Sequence, residues 1–399
     1  MPVTRIATHP GPDQERFADQ QPDWHDHPDL GRIRRVLGRA AAPVQPAEIR
    51  EFTASLVRAA KGDAQLLQAG DCAESLLECE VQHVQAKLSV LDQLADRMTA
   101  RAGLPTLRVG RLGGQFAKPR SAPIERCGSR ELPVFRGHMV NGERPNPHAR
   151  HHDPFRLLQA YTAAVSVTSV VAAHHRRRAA ATSYPDTGPW TSHEALIFDY
   201  ETCFARTDVS SGARYLTSTH LPWIGERTSR TDGPHVRFLQ QIANPIGLKL
   251  GPAGTLATAV RTCARLDPWR LPGRLVLILR LGADQVEERL PPLVTAITRA
   301  GHRPAWLIDP MHGNTVRSSS GLKIRYLRTL AAEATAARRI LERLGEHPAG
   351  MHLEVAAEHV TECIGSDVPD EGHLGRRYRT LCDPRLNPEQ ACELIDTWH

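Results

Sequence analysis

Aromatic residues make up only 5% of this 399-residue chain. Binding to single-stranded nucleic acid rests on bases stacked over aromatic rings beside cations, so the composition argues against that class. No run of about 18 apolar residues occurs, so nothing is expected to span a membrane. The stretch Met1–Asp29 is polar, with Pro, His, Asp and Gln and no apolar h-region, so no secretory signal is expected. Together these absences point to a soluble chain, most simply a cytoplasmic one. The eight cysteines (72, 79, 127, 203, 263, 363, 382 and 392) show no paired short spacing, which makes reduced thiols the default. There is no internal repeat and no low-complexity linker.

What is present is ordinary for a globular protein: 41% hydrophobic and 24% charged residues. Lys and Arg number 50 against 44 acids, a formal net charge of +6. The only basic run is Arg176-Arg177-Arg178, preceded by His174 and His175. Elsewhere the cations are interleaved with acids, which reads as a solvated surface rather than a duplex-binding face. At about 150 residues per domain the length allows two or three domains, although an α/β barrel can occupy roughly 200–250 residues as one.

Met1 to about Gln20 lacks periodicity and reads as a mobile arm. Leu30–Ala40 and Pro46–Ala60 read as helices, the second with Ile49, Phe52, Leu56 and Val57 on one face. From Gln65 onward short apolar runs alternate with polar clusters and helix-length segments such as Val84–Arg101, Val286–Ala300 and Ile324–Leu344. The runs are Gln65–Ala69, Thr106–Val109, Ala195–Phe198, Tyr215–Thr217, Pro245–Leu250, Leu275–Leu279, Pro304–Ile308 and Met351–Val355. Eight strands alternating with helices imply parallel pairing and an α/β fold, a (β/α)8 TIM barrel with an N-terminal helical extension. The expected division is an extension over 1–60 and a catalytic barrel over 61–399. An open doubly wound sheet is the alternative, but Gly70-Asp71-Cys72 is no dinucleotide fingerprint.

In such a barrel the functional residues sit at the C-terminal ends of the strands. Arg111, Lys118, Arg120, Arg227, Lys249 and Arg280 all follow or end the expected strands. Six cations in one mouth repel one another unless anions fill it, and Arg forks suit carboxylates and phosphates. The implied ligand is polyanionic; taken singly, each cation could equally be a surface loop residue. Cys72, His312, Glu354 and Asp383 form a second set. A thiolate, an imidazole and two carboxylates suit Mn, Fe, Co or Zn better than Ca or Mg. Each also has a plain structural reading: Cys72 as a small buried hydrophobe, His312 as a core histidine, the acids as ion-pair partners.

Five segments carry a family resemblance: Gln68–Glu74, Gly114–Ser121, Trp223–Thr228, Asp309–Thr315 and Cys382–Asn387. With Thr191–Leu196, they resemble the class II 3-deoxy-D-arabino-heptulosonate 7-phosphate (DAHP) synthases, in one order from about Gln21 to the C-terminus. The resemblance implies a barrel that condenses phosphoenolpyruvate with erythrose 4-phosphate, the first step of the shikimate pathway. By motif, Cys72, His312, Glu354 and Asp383 would hold a divalent metal, Mn2+ or Co2+. Arg111, Lys118, Glu226, Arg227, Lys249 and Arg280 would surround phosphoenolpyruvate, and Arg120 and Ser121 would hold the aldose phosphate.

The metal would polarise the aldehyde. Lys118, its pKa lowered by neighbouring Arg, would supply a proton to the new alkoxide. Glu226 would orient Arg227 or place the attacking water. Cys382 precedes Asp383, and oxidation could link it to Cys72 and expel the metal; two unrelated reduced thiols is the other reading. Only the short stretch Ala179–Trp190 stands where longer relatives carry a helical hairpin serving feedback inhibition. The chain therefore resembles the phenazine and other secondary-metabolism members and is expected to be insensitive to aromatic amino acids. An aminoDAHP synthase acting on an amino or imino four-carbon sugar phosphate is the alternative. The expected assembly is a homodimer or higher homo-oligomer, with neither nucleic acid nor membrane as a partner.

Overall fold

A computed structural model describes residues 18–184 and 187–398. Most of the arm Met1–Gln20 lies outside the described residues. Its last three residues do not behave as a free arm: Arg136 donates to the carbonyl of Gln20.

Two helices come first, α1 (Leu30–Arg39) and α2 (Pro46–Lys61). Helix α2 starts where Pro46 takes the first helical position and Glu48 accepts from the Gln45 N–H at 2.7 Å, a reciprocal stop to the open N-terminus. It ends at Gly62 in the left-handed region. Eight strands follow: β1 (Gln65–Gly70), β2 (Thr106–Arg111), β3 (Trp190–Glu194), β4 (Leu221–Ile224), β5 (Ile246–Leu250), β6 (Leu275–Leu279), β7 (Ala305–Ile308) and β8 (Pro348–Glu354). Each pairs in parallel with its sequence neighbours, and β8 closes on β1. The outer helices are α3 (Val81–Ala102), α4 (Arg156–Ala179), α5 (Phe198–Phe204), α6 (Pro234–Leu239), α7 (Leu256–Leu266), α8 (Val286–Arg299) and α9 (Leu327–Arg343); α10 (Pro388–Trp398) follows β8. The fold is the expected (β/α)8 barrel.

Two strand expectations were displaced. The third strand is Trp190–Glu194, not Ala195–Phe198, which instead leads into α5. Thr191, Ser192 and His193 are polar yet fully buried, so a search for apolar runs passes over them. The fourth strand is Leu221–Ile224. Tyr215–Thr217 belongs to an antiparallel excursion in which Arg214–Leu216 pairs with Ala205–Thr207. Pro222 inside β4 reads as a strand breaker. Ile324 likewise lies in a small hairpin, and α9 begins at Leu327.

Helix α4 is long and apolar enough, by length and composition, to cross a membrane. No such stretch was expected, because its Ala and Val residues are interleaved with Gln, Ser and Thr. In the barrel it buries Leu157, Ala160, Ala164, Val167 and Val171 against its neighbours.

Helix α2 closes the N-terminal end of the barrel. Phe52, Leu56 and Ala59 are fully buried with Leu66, Leu107, Val109, Leu221 and Ile278 in one apolar cluster. The Phe52 ring lies 5.6 Å from that of Trp190. Truncating a buried phenylalanine removes both its transfer energy and its packing. We expect Phe52→Ala to cost about 3–5 kcal/mol in a denaturant melt while leaving the opposite, C-terminal face intact.

Candidate active site at the C-terminal mouth

The strand register sets the level of the site. Gly70 at the end of β1 lies opposite Arg111 of β2 on one side and Glu354 of β8 on the other. Gly70 has φ 149°, and a Cβ there would meet Arg111 at about 3.0–3.2 Å, so glycine lets the two chain ends approach. Arg111 NH2 then reaches Glu354 Oε1 at 3.2 Å, and its Nε donates to the carbonyl of Asp71 at 2.9 Å.

Below this level the barrel interior is polar. Arg111 NH1 lies 2.5 Å from His352 Nε2, and His352 Nδ1 lies 2.7 Å from Gln68 Oε1. Arginine can only donate, so Nε2 accepts and Nδ1 carries the proton given to Gln68. Burial holds His352 well below the ordinary histidine value, consistent with that neutral ring.

Cys72, Glu354 and Asp383 bring one sulfur and two carboxylate oxygens within 4.8 Å of one another. His312 joins them through Nε2, 3.0 Å from Glu354 Oε1. Its other nitrogen, Nδ1, faces Asp309 Oδ2 at 2.8 Å. This carboxylate–histidine pair fixes the tautomer that leaves Nε2 free to ligate. Arg325 NH1 holds the second oxygen of Glu354 at 2.8 Å. Lys118 occupies the middle of this cage: its Nζ contacts Cys72 Sγ and lies 2.5 Å from Asp383 and 3.4 Å from Glu354. An ammonium held by two carboxylates and a cysteine sulfur is a stand-in cation, so the donor set fits a divalent transition ion.

The surroundings reverse the expected shift on Lys118. Burial pushes its pKa down, but Asp383, Cys72 and Glu354 outweigh that and hold it well above the ordinary lysine value. Its neighbours here are acids rather than arginines. Lys249 is the lysine whose pKa is lowered, by burial first and with Arg111 adding to it, although Asp309 lies 3.0 Å away. Burial also pushes the Cys72 thiol up, reinforced by a hydrogen bond with Cys382. Both thiols are free.

Beside the cage opens a cavity of about 550 Å³. All six expected cations line it, with Ser121, Glu226, His312 and Asp383. Arg280 pairs with Glu226 and donates to the carbonyl of His312 at 2.7 Å. Glu226 thus engages Arg280 rather than Arg227, which donates to Ser121 Oγ at 2.6 Å. Arg120 reaches Cys382 Sγ at 3.3 Å.

Several contributors carried no signal strong enough to single them out. Lys323 and Arg317 line the cavity from the small hairpin Val316–Arg317/Lys323–Ile324, and Lys323 lies 2.7 Å from Asp383 Oδ1. Arg325 follows no barrel strand. Asp309 and Glu194 stand inside segments that had drawn notice, but as neighbours of other residues. Glu194, at the end of β3, lines the cavity, and its buried Oε1, packed over Gly225, has no hydrogen-bond partner among the described residues. Burial raises its pKa, against the pull of Lys249 and Lys118.

Comparison with known proteins decides the family. The model of the class-II DAHP synthetase family matches residues 10–187 and 177–397. This chain belongs to the class-II DAHP synthetase family. It is 43% identical over 381 residues to a probable phospho-2-dehydro-3-deoxyheptonate aldolase of Pseudomonas fluorescens, covering 95% of this chain and 94% of that one. The enzymes of that name from Mycolicibacterium smegmatis and Streptomyces coelicolor are 38% and 37% identical, each over 94% of this chain and over 91% and 93% of their own lengths. The solved structure of the aldolase from Francisella tularensis shares the fold, with a TM-score of 0.52 at 12% identity, covering 93% of this chain and 97% of that one.

Removing the stand-in cation should expose the repulsion it offsets. In chelator, Lys118→Ala is expected to lose about 3 kcal/mol or more of stability, as when one partner leaves a buried ion pair. Added Mn2+ should raise its unfolding midpoint by more than it raises that of the unmodified protein. An equal response in both proteins would show that Lys118 does not stand in for a cation.

Proposed function

We propose that this DAHP synthase family member condenses phosphoenolpyruvate with erythrose 4-phosphate, and that Cys72, His312, Glu354 and Asp383 hold a divalent ion, Mn2+ or Co2+. The observation that carries the reading is the convergence of six cations on one cavity whose wall is the cage of anionic donors. Two mutually repelling phosphorylated substrates need such a mouth, and much of the rate enhancement is then positional and electrostatic.

In this reading Arg111, Lys249 and Arg280 receive the carboxylate and phosphate of phosphoenolpyruvate, with Glu226 holding the Arg280 fork. Arg120 and Ser121 receive the phosphate of the aldose, and the Arg227–Ser121 bond joins the two subsites. C3 of the enol phosphate forms the new bond to the aldehyde carbon, C2 gains a water oxygen, and inorganic phosphate departs. The bound ion supplies Lewis acidity at the aldehyde oxygen. Lys118 enters as the ammonium, its charge favoured by Asp383 and Glu354, and would donate its proton to the new alkoxide. Glu194, which lines the cavity, would orient the attacking water. The chain residues thus divide into those that bind anions and those that move protons.

The direct test incubates the purified protein with both substrates and Mn2+, then assays phosphate release and the heptulosonate product. Turnover should vanish on chelation and return with added metal; full activity of metal-free Cys72→Ser protein would sink the metal assignment.

We also propose that the enzyme serves secondary metabolism in the cytoplasm, free of aromatic feedback. Its support is the short link between α4 and β3, which are only ten residues apart, with no helix among the described ones. Trp, Phe and Tyr, alone or together, should change the initial rate less than about twofold, where a coupled effector site of typical strength gives roughly 5–150-fold. Strong inhibition in that titration refutes the proposal.

A further inference from the structure

The segment Ala18–Trp24 lies across the loops at the catalytic mouth and grips two of them with paired hydrogen bonds. The Gln20 carboxamide accepts from the backbone N–H of Arg120 at 2.9 Å and donates to its carbonyl at 3.1 Å. Both backbone polar groups of that residue are thus taken by one side chain, in the manner of a paired strand. Gln21 does the same to the loop after β3: it donates to the carbonyl of Leu196 at 2.9 Å and accepts from the N–H of Phe198 at 3.0 Å. Gln20 has φ 66°, a conformation that side-chain-bearing residues adopt only where surroundings enforce it. Here the enforcement is visible, since Arg136 grips the carbonyls of both Gln20 and Gln21.

We propose that Gln20 is a positioning residue that sets the aldose-phosphate subsite. The inference rests on the reading that Arg120 and Ser121 hold the phosphate of the four-carbon sugar. The loop carrying these residues leaves β2 and must span the mouth before the exposed hairpin Ile124–Cys127/Arg130–Pro133. Near Arg120 the only side chain that takes both its N–H and its carbonyl, among the described residues, is Gln20. Losing that pair frees the backbone at Arg120, and its guanidinium and the Ser121 hydroxyl lose their common reference to the cage. The phosphoenolpyruvate cations Arg111, Lys249 and Arg280 stand on or beside strand ends and do not depend on it. Lys118 on the same loop is held separately, its N–H donating to the Arg136 carbonyl at 2.9 Å, so the effect falls mainly on the aldose phosphate.

The test compares the full chain with Gln20→Ala. The KM for erythrose 4-phosphate is expected to rise about tenfold, the scale of one lost hydrogen-bonded pair. The KM for phosphoenolpyruvate and kcat should stay within about twofold, since the groups acting on the reacting atoms are unmoved. Equal changes in both KM values, or a fall in kcat alone, would overturn the positioning role. A second measurement needs no turnover: hydrogen exchange at the Arg120 amide should quicken at least about tenfold while β1 and β2 keep their protection. Unchanged exchange at Arg120 would overturn the proposal whatever the substrates prove to be. An inactive unmodified enzyme would instead strike the condensation reading and leave the exchange result to judge the clamp.

Discussion

A cage of one thiol and two carboxylates, almost dry, cannot stand without a cation in it. Unpaired, buried charges of one sign cost several kcal/mol each, and the site answers with Lys118 among Cys72, Glu354 and Asp383. Much of the surrounding architecture follows from that need. Arg111 and Arg325 take the two oxygens of Glu354, so this carboxylate is fixed by two guanidinium groups from different parts of the chain. Asp309 turns His312, and Lys249 then neutralises Asp309. Each charge placed to shape the cage demands another behind it, and the cations of the substrate cavity are partly the outer layer of the same construction.

This layering explains which parts of the site could be read from the sequence. The six cations of the mouth and the four donors were legible because they end strands or stand in distinctive motifs, and a parallel barrel gathers strand ends at one face. Their partners were not. Arg325 belongs to a hairpin-to-helix corner, and its role depends on that corner folding back over β8. The Lys118 environment was misjudged for a related reason: proximity in the sequence list of cations suggested arginine neighbours, whereas folding surrounds its ammonium with acids.

The fold shows the same division. Strands β6 and β7 were legible because Leu275–Leu279 and Ala305–Ile308 are unbroken apolar runs, buried throughout. Strand β3 escaped because a barrel interior that serves a polar site is itself polar, and β4 because Pro222 interrupts an otherwise apolar run. Thr191, Ser192 and His193 are fully buried, and Ser192 Oγ receives the Gln68 amide at 3.0 Å in the chain that ends at Arg111. Where burial is purchased by hydrogen bonds rather than hydrophobicity, the alternation of apolar residues carries no trace of the strand.

Positional catalysis also requires the loops to be firm, and here buried carboxylates act on backbone N–H groups. Glu74 accepts from the N–H groups of Gly113, Gly114 and Gln115 at 2.8–2.9 Å, which fixes the approach to Lys118. Glu333 of α9 accepts from Leu281 and Gly282 at 3.0 and 2.8 Å and from the Asn314 amide at 2.5 Å. It thereby ties the loop after Arg280 to the loop after His312. Burial pushes its carboxyl up to about 7. Because that value lies above the unfolded one, this group favours the fold fully below the carboxylate range and loses that contribution as pH rises through 7. Yet the ionised form is the better acceptor for its three donors. Stability and loop order thus pull the same proton in opposite directions near neutral pH, and the mouth is held firm by a group that the fold would rather keep neutral.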